Sequence, residues 1–208
     1  MSEAPSFSLW RADAPLILAS KSAGRRQVLA QAGLPFESWP ADVDERAIEQ
    51  ALGPVGADSV AQALARAKAL AVSVEAPGRL TLGADQVASC GERLFGKPES
   101  MEKAAALLRF LSGRRHRLHA AIALARDGAV IYETVAHADL EMRPLSDAFI
   151  DAYLAAMGET ALTTAGAYQV EGLGAHLFQE VAGDHWTIMG LPLLPLLDVL
   201  RRIGALVG

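Results

Sequence analysis

The chain has 208 residues, 51% of them hydrophobic and 21% charged, with a formal net charge of −5. That length can bury one core or two closely packed lobes, and the acidic balance argues against a nucleic-acid partner while still allowing a local basic pocket for one small anion. The single cysteine, Cys90, excludes an internal disulfide, fits a reducing cytoplasm and, beside the turn residue Gly91, reads as structural and not nucleophilic.

Residues 1–11 contain an acidic residue and no long apolar run, so they do not read as a signal peptide. The run Leu16-Ile-Leu-Ala19 is expected to be a buried strand, followed after Ser22 by a helix to about Gln31 that Gly33 and Pro35 stop. Residues 36–39 suit a second strand. Asp42-Val-Asp-Glu45 is an acidic loop leading into a short helix that ends near Gly53, and Asp58 is expected to cap a longer helix that Pro77 ends. Residues 79–88 read as a strand, with Gly91-Glu92 as a hairpin turn before residues 93–95. Ser100 caps a helix with Met101, Ala104, Leu107, Leu108 and Leu111 at helical spacing. Residues 118–125 and 129–142 are strands joined at Asp127-Gly128, a strong hairpin signal. Ser146 starts a helix reaching Met157-Gly158, and the glycine-rich tract 163–188 reads as loops and short strands. Pro192 opens a final helix whose buried stripe is Leu193, Leu196, Leu197, Leu200 and Ile203. Asp198, Arg201 and Arg202 make that helix amphipathic, not a membrane span. Early strand–helix alternation and a central hairpin give an α/β class with a mixed sheet flanked by helices. The whole chain, 1–208, reads as a single two-lobed unit.

Several residues sit where simple packing would not put them. Leu80-Thr-Leu-Gly-Ala-Asp-Gln-Val87 has the composition of a buried strand, yet it contains Asp85 and Gln86. A buried carboxylate either serves a cation, a metal or a reaction, or caps the next turn. The small residues Gly83 and Ala84 leave room for a ligand to approach the backbone. In Ser20-Lys-Ser-Ala-Gly-Arg-Arg26, cations fall on the positive end of a helix dipole, which suits an anion held by Ser20, Ser22, Arg25 and Arg26. The alternative is Ser22 as a plain cap with exposed arginines. The three carboxylates of Asp42, Asp44 and Glu45 can bind a divalent cation, or Asp44 can cap the next helix. Lys68 lies on the apolar side of its helix and must snorkel out or meet an anion. Lys97, in Gly96-Lys-Pro98, can point back towards Asp85 or lie exposed. Tyr168, Gln169 and Glu171 stand among glycines, where they could recognise a flat polar group or form an ordinary loop. His116, His119, His137, His176 and His185 form no ligand cluster on one predicted element, so no zinc site is expected.

Taken in order, Leu18-Ala-Ser-x-Ser-x-x-Arg-Arg26, Asp44-Glu45, Lys68-Ala69, Gly83-Ala-Asp-Gln-Val87, Gly96-Lys-Pro98, Leu111-Ser-Gly-x-x-His116, Ala165-Gly-Ala-Tyr168 and Gly190-Leu-Pro-Leu193 resemble the Maf family of nucleoside triphosphate pyrophosphatases, once described as septum-formation inhibitors. The resemblance implies a mixed twisted sheet in two lobes with a deep cleft. It also implies hydrolysis of a nucleoside triphosphate to monophosphate and pyrophosphate with a divalent cation, Mg or Mn. It makes Asp85 the proton acceptor and, with Glu45, a metal contact. Lys68 and Lys97 lie around the triphosphate, Ser20, Arg25 and Arg26 hold phosphates, and Gln86 and Glu171 are further substrate contacts. The expected location is the cytoplasm, without membrane or nucleic acid, and a homodimer is compatible with the resemblance. The alternative is a nucleotide-binding regulator of septum formation without turnover. Ala23-Gly24 before the arginines and Gln86 after the aspartate look like the branch that prefers 7-methyl-GTP. Ala165-Gly-Ala-Tyr168 looks more like the branch that prefers dTTP and UTP.

Overall fold

Leu16, Ile17 and Leu18 form strand β1 (Leu16–Leu18), and none of the three exposes any surface. A strand buried on both faces is what the middle of a parallel sheet requires. The computed structural model describes residues 9–208. Residues 1–8, most of the segment read above for a signal peptide, lie outside the described residues. β1 pairs in parallel with β2 (Phe36–Ser38) and β3 (Thr81–Cys90), through crossovers containing α1 (Ala23–Gln31), α2 (Glu45–Leu52) and α3 (Ala57–Ser73). β3 then pairs antiparallel with β4 (Arg93–Phe95) and with β5 (Arg115–Arg126). β5 pairs with β6 (Ala129–Met142), and β6 with β7 (Phe178–Ala182). The result is one seven-stranded mixed sheet in the order β2-β1-β3-β5-β6-β7, with β4 added to β3. The remaining helices are α4 (Met101–Leu111), α5 (Asp147–Met157), α6 (His185–Ile188) and α7 (Leu193–Arg202), and 3-10 turns occupy much of 158–177.

The β5–β6 turn uses Asp127 and Gly128 at φ 53° and 76°, as a two-residue hairpin of matching twist demands. Alternate residues of the hairpin serve different layers. Ala121, Ala123 and Ala125 pack under Ala61, Ala65 and Ala69 of α3. On the other face Ile122 and Leu124 join a core with α1 and α7, whereas Leu118 joins a second core with α4 and α5. Two cores therefore share one sheet. Ile188 belongs to the second core and the next residue, Met189, to the first.

Gly83 corrects one expectation. A Cβ there would lie 2.1 Å from the Ala65 carbonyl oxygen and 2.5 Å from the Ala69 nitrogen. The missing side chain admits helix α3, not a ligand. Other departures are smaller. Gly56, not Asp58, is the N-cap of α3, and Asp58 stands inside its first turn. Met101 and Ile203 are exposed, and Val199 takes the place expected of Ile203 in the stripe of α7. Among the described residues no helix is long and apolar enough to cross a membrane.

Candidate active site

β3 changes neighbours along its length. On one side it pairs with β1 only as far as Leu82 and with β4 only from Ala88. Between them Asp85, Gln86 and Val87 keep β5 on one side and face a cleft of about 1140 Å³ on the other. A gap where one strand ends and the next begins is where open α/β sheets place ligands. The loops after β1 and β2, the N-terminal end of α2, the α3 residues Val60, Leu64 and Lys68, and the tract 163–171 complete the walls.

The close approach at Gly83 brings Lys68 onto the strand. Its Nζ donates to Asp85 Oδ1 at 2.6 Å and lies 2.7 Å from Glu45 Oε1. Lys68 and Asp85 are both buried, at 8% exposure each, while half of the Glu45 side chain meets solvent. The lysine expected either to snorkel or to meet an anion meets two. Glu45 is placed by Asp44, whose side chain accepts from Ala47 N at 3.0 Å and caps α2.

Facing this cluster, Ser22 caps α1, and the two arginines of its first turn diverge. Arg25 is buried. Its Nη1 donates to Ser20 Oγ at 3.0 Å and its Nε to the Gly190 carbonyl at 2.9 Å. Both acceptors are neutral, and Arg25 belongs to no ion pair among the described residues. Burial pulls the Arg25 pKa down, and the charges of Asp85 and Glu45 partly restore it. A buried cation held by neutral groups is ready for an anion. Arg26 is exposed and donates to the Lys21 carbonyl at 2.8 Å, so it does not line the cleft. Ser20, Ser22, Arg25, Glu45, Lys68, Asp85, Gln86, Lys97 and Glu171 all do.

Gln86 spends its amide on the chain itself, donating from Nε2 to the carbonyls of Thr187 at 3.0 Å and Ile188 at 3.2 Å. It thereby fixes the segment that carries Gly190, the acceptor for Arg25. Tyr168 is buried in the second core, with its hydroxyl 2.6 Å from His116 Nε2. Burial lowers the His116 pKa to about 4, and its buried Nδ1 has no hydrogen-bond partner.

One cluster escaped the sequence reading. Asp58 Oδ1 lies 2.6 Å from His119 Nδ1 and 2.7 Å from His137 Nε2. The expectation of no histidine ligand cluster is corrected here, because His119 and His137, on different strands, meet across the β5–β6 ladder. Burial pushes the Asp58 carboxyl up, but the bonds from both imidazoles outweigh that and hold it below its usual range.

A family model described as Maf-like protein matches residues 15–203. A nucleoside triphosphate pyrophosphatase of Rhodopseudomonas palustris (strain BisB18) is 52% identical over 196 residues, which is 94% of this chain and 97% of that protein. A 7-methyl-GTP pyrophosphatase of Rhizobium etli is 52% identical over 195 residues, 93% of this chain and 98% of its own length. Among solved structures, a HAM1 protein from Coxiella burnetii has a TM-score of 0.49 at 15% identity, covering 90% of this chain and 98% of its own.

Proposed function

The chain belongs to the Maf-like protein family and is a nucleoside triphosphate pyrophosphatase, and from that premise we propose that its cleft cuts the α–β phosphoanhydride of a modified purine nucleotide of the 7-methyl-GTP kind. The observation that carries the reading is a buried carboxylate, Asp85, held on Lys68 opposite a buried arginine whose charge has no carboxylate partner. Binding alone would need the arginine but not the carboxylate.

Phosphoryl chemistry depends chiefly on positioning and charge neutralisation. Arg25, with Ser20 and Ser22 at the start of α1, holds phosphate oxygens. Lys68 fixes Oδ1 of Asp85, leaving Oδ2 to take a proton from the water that attacks the α phosphorus. The bond to the bridging oxygen breaks and pyrophosphate leaves, its charge met by Lys68 and Lys97. Glu171 and Gln86 lie on the wall left for the nucleoside.

A divalent cation such as Mg or Mn fits this donor set. Glu45 and Asp85 each bring an oxygen within hydrogen-bond distance of the same ammonium nitrogen, and carboxylate oxygens are the ligands hard cations take. When bound, it supplies phosphate charge neutralisation and a lower pKa for water. Because β3 and the β5–β6 hairpin underlie both cores, we read the chain as one two-lobed domain acting as a unit.

One observation supports the purine branch: the relative from Rhizobium etli is named for 7-methyl-GTP. The test is pyrophosphate release from a panel of standard and methylated triphosphates with Mg or Mn. Fastest turnover of 7-methyl-GTP is expected. Faster turnover of dTTP or UTP moves the specificity to the other branch, and tight binding without turnover anywhere sinks the enzyme reading.

A further inference from the structure

We propose that Asp58, His119 and His137 form a binding site for a zinc-class divalent metal, separate from the catalytic carboxylates and serving to staple α3 to the sheet. Two imidazoles and one carboxylate are the ligand set that such metals take, whereas Glu45 and Asp85 offer only oxygen. The three ligand atoms lie within 4.8 Å of one another. Both ring nitrogens already aim at the same oxygen, Asp58 Oδ1.

The ligands come from rigid elements. His119 and His137 are register partners on β5 and β6, and Asp58 is the second residue of α3. His119 also has the outer partner expected of a metal-bound imidazole, with its Nε2 2.8 Å from Ser89 Oγ. When the metal takes Nδ1, the ring proton moves to Nε2 and is donated to that hydroxyl. His119 is buried at 8% exposure, while the side chains of His137 and Asp58 are 39% and 54% exposed. One anchored ligand and two accessible ones give an entry path and leave a fourth position to water. The neighbouring Asp139 is occupied by Nε and Nη2 of Arg117, at 2.7 and 2.8 Å, so the ligand set stays at three.

The site adjoins the cleft without belonging to it. Val87, opposite His119 in the ladder, lies two residues beyond Asp85 on the same sheet face. The helix that supplies Asp58 supplies Lys68 ten residues later. A metal here therefore immobilises the helix that holds the catalytic aspartate.

The test uses chelator-stripped full-length protein, with Co2+ as a spectroscopic probe and Zn2+ as competitor. A double variant, Glu45→Gln with Asp85→Asn, removes the catalytic carboxylates. It is expected to bind one equivalent with the visible spectrum of a low-coordinate cobalt site, and Zn2+ is expected to displace the cobalt and raise Tm. Adding His137→Asn, an exposed change, is expected to weaken binding by at least about 10-fold, the lower bound seen even for outer-shell partners. Ser89→Ala is expected to weaken it less. A double variant that binds no metal overturns the proposal. So does affinity unchanged by His137→Asn in protein whose near-UV circular dichroism matches the parent. A loss of Tm in His137→Asn that is equal with and without Zn2+ would reduce the trio to a hydrogen-bonded staple.

Discussion

Helix α3 carries two charged clusters on the same face of the sheet, and they are built in opposite sense. At Lys68 one cation sits between two carboxylates, and at Asp58 one carboxylate oxygen sits between two imidazoles. The first opens on the cleft. The second lies outside it, over the middle of the β5–β6 hairpin. The contrast teaches that ionisable groups under a helix need not share a task. On the proposed reading, what separates chemistry from anchoring is access to the cleft wall that carries Arg25, which Lys68, Asp85 and Glu45 share and Asp58, His119 and His137 do not.

The sharpest way to break the contrast is to neutralise each carboxylate in turn. Asp85→Asn is expected to slow pyrophosphate release by roughly 10²- to 10⁴-fold, the range for a general base, while leaving the fold intact. Asp58→Asn is expected to leave kcat within about twofold in saturating Mg, a figure far below that range. Equal losses in steady-state assays would erase the distinction.

Acid tests the buried imidazole of the second core. His116 is buried against Tyr168, with its folded pKa lowered from 6.5 to about 4. The unfolded chain then takes up the proton first, so stability is full above about pH 6.5 and falls as pH drops towards 4. The loss amounts to roughly 3 kcal/mol. Asp58 is shifted the other way for its type, below its usual value of 3.8, so its contribution is lost only at still lower pH. Urea midpoints from pH 7 to 4 should therefore fall in the parent and flatten in His116→Phe. The same slope in both would refute the assignment.

Arg25 and Arg26 provide the next test. Removing Arg25 is expected to cost roughly 1.5–3 kcal/mol in kcat/KM, the worth of hydrogen bonds to a charged group. Arg26→Ala should stay within about 0.5 kcal/mol, as surface changes do. Comparable losses would place Arg26 in the phosphate site. A further test is on packing. Gly83→Ala pushes a methyl into the backbone of α3 and should cost about 1–3 kcal/mol in chemical denaturation. It should also lower activity, because Lys68 rides on the displaced turn.

Much of the first cluster was legible in the sequence because each member contradicts its local setting. Asp85 interrupts a buried strand, Lys68 lies on the apolar side of a helix, and arginines occupy a helix start. The second cluster was not legible, and the reason is one residue. The hairpin register shifts between Leu124 and Ala125, where Ile131 is left unmatched on β6. Without that bulge, His119 would face Ala136 and His137 would point to the opposite side. The turn dipeptide can be read from sequence, but a bulge placed by packing cannot. Nor could the sequence say which of Arg25 and Arg26 turns inward, since adjacent helical residues point about 100° apart. Gly83 suggests room for a ligand when taken from the sequence alone, because what fills that room is 14 to 18 residues away, at Ala65 and Ala69.

The hairpin turn at Asp127-Gly128 also sets an order of assembly. β5 and β6 are joined by a two-residue turn, as β3 and β4 are, so their pairing closes a loop of minimal length, an event of about 1–10 μs for an isolated hairpin. β1 and β3 lie in parallel with two crossovers between them, and such non-local pairing comes late and slowly. The cleft, which exists only where β1 leaves β3, is therefore expected to form late. Substitutions along it should chiefly hasten unfolding, while those in the hairpin should slow folding. A cell would then keep its inventory of active enzyme less by how quickly the chain folds than by how long that final junction stays shut.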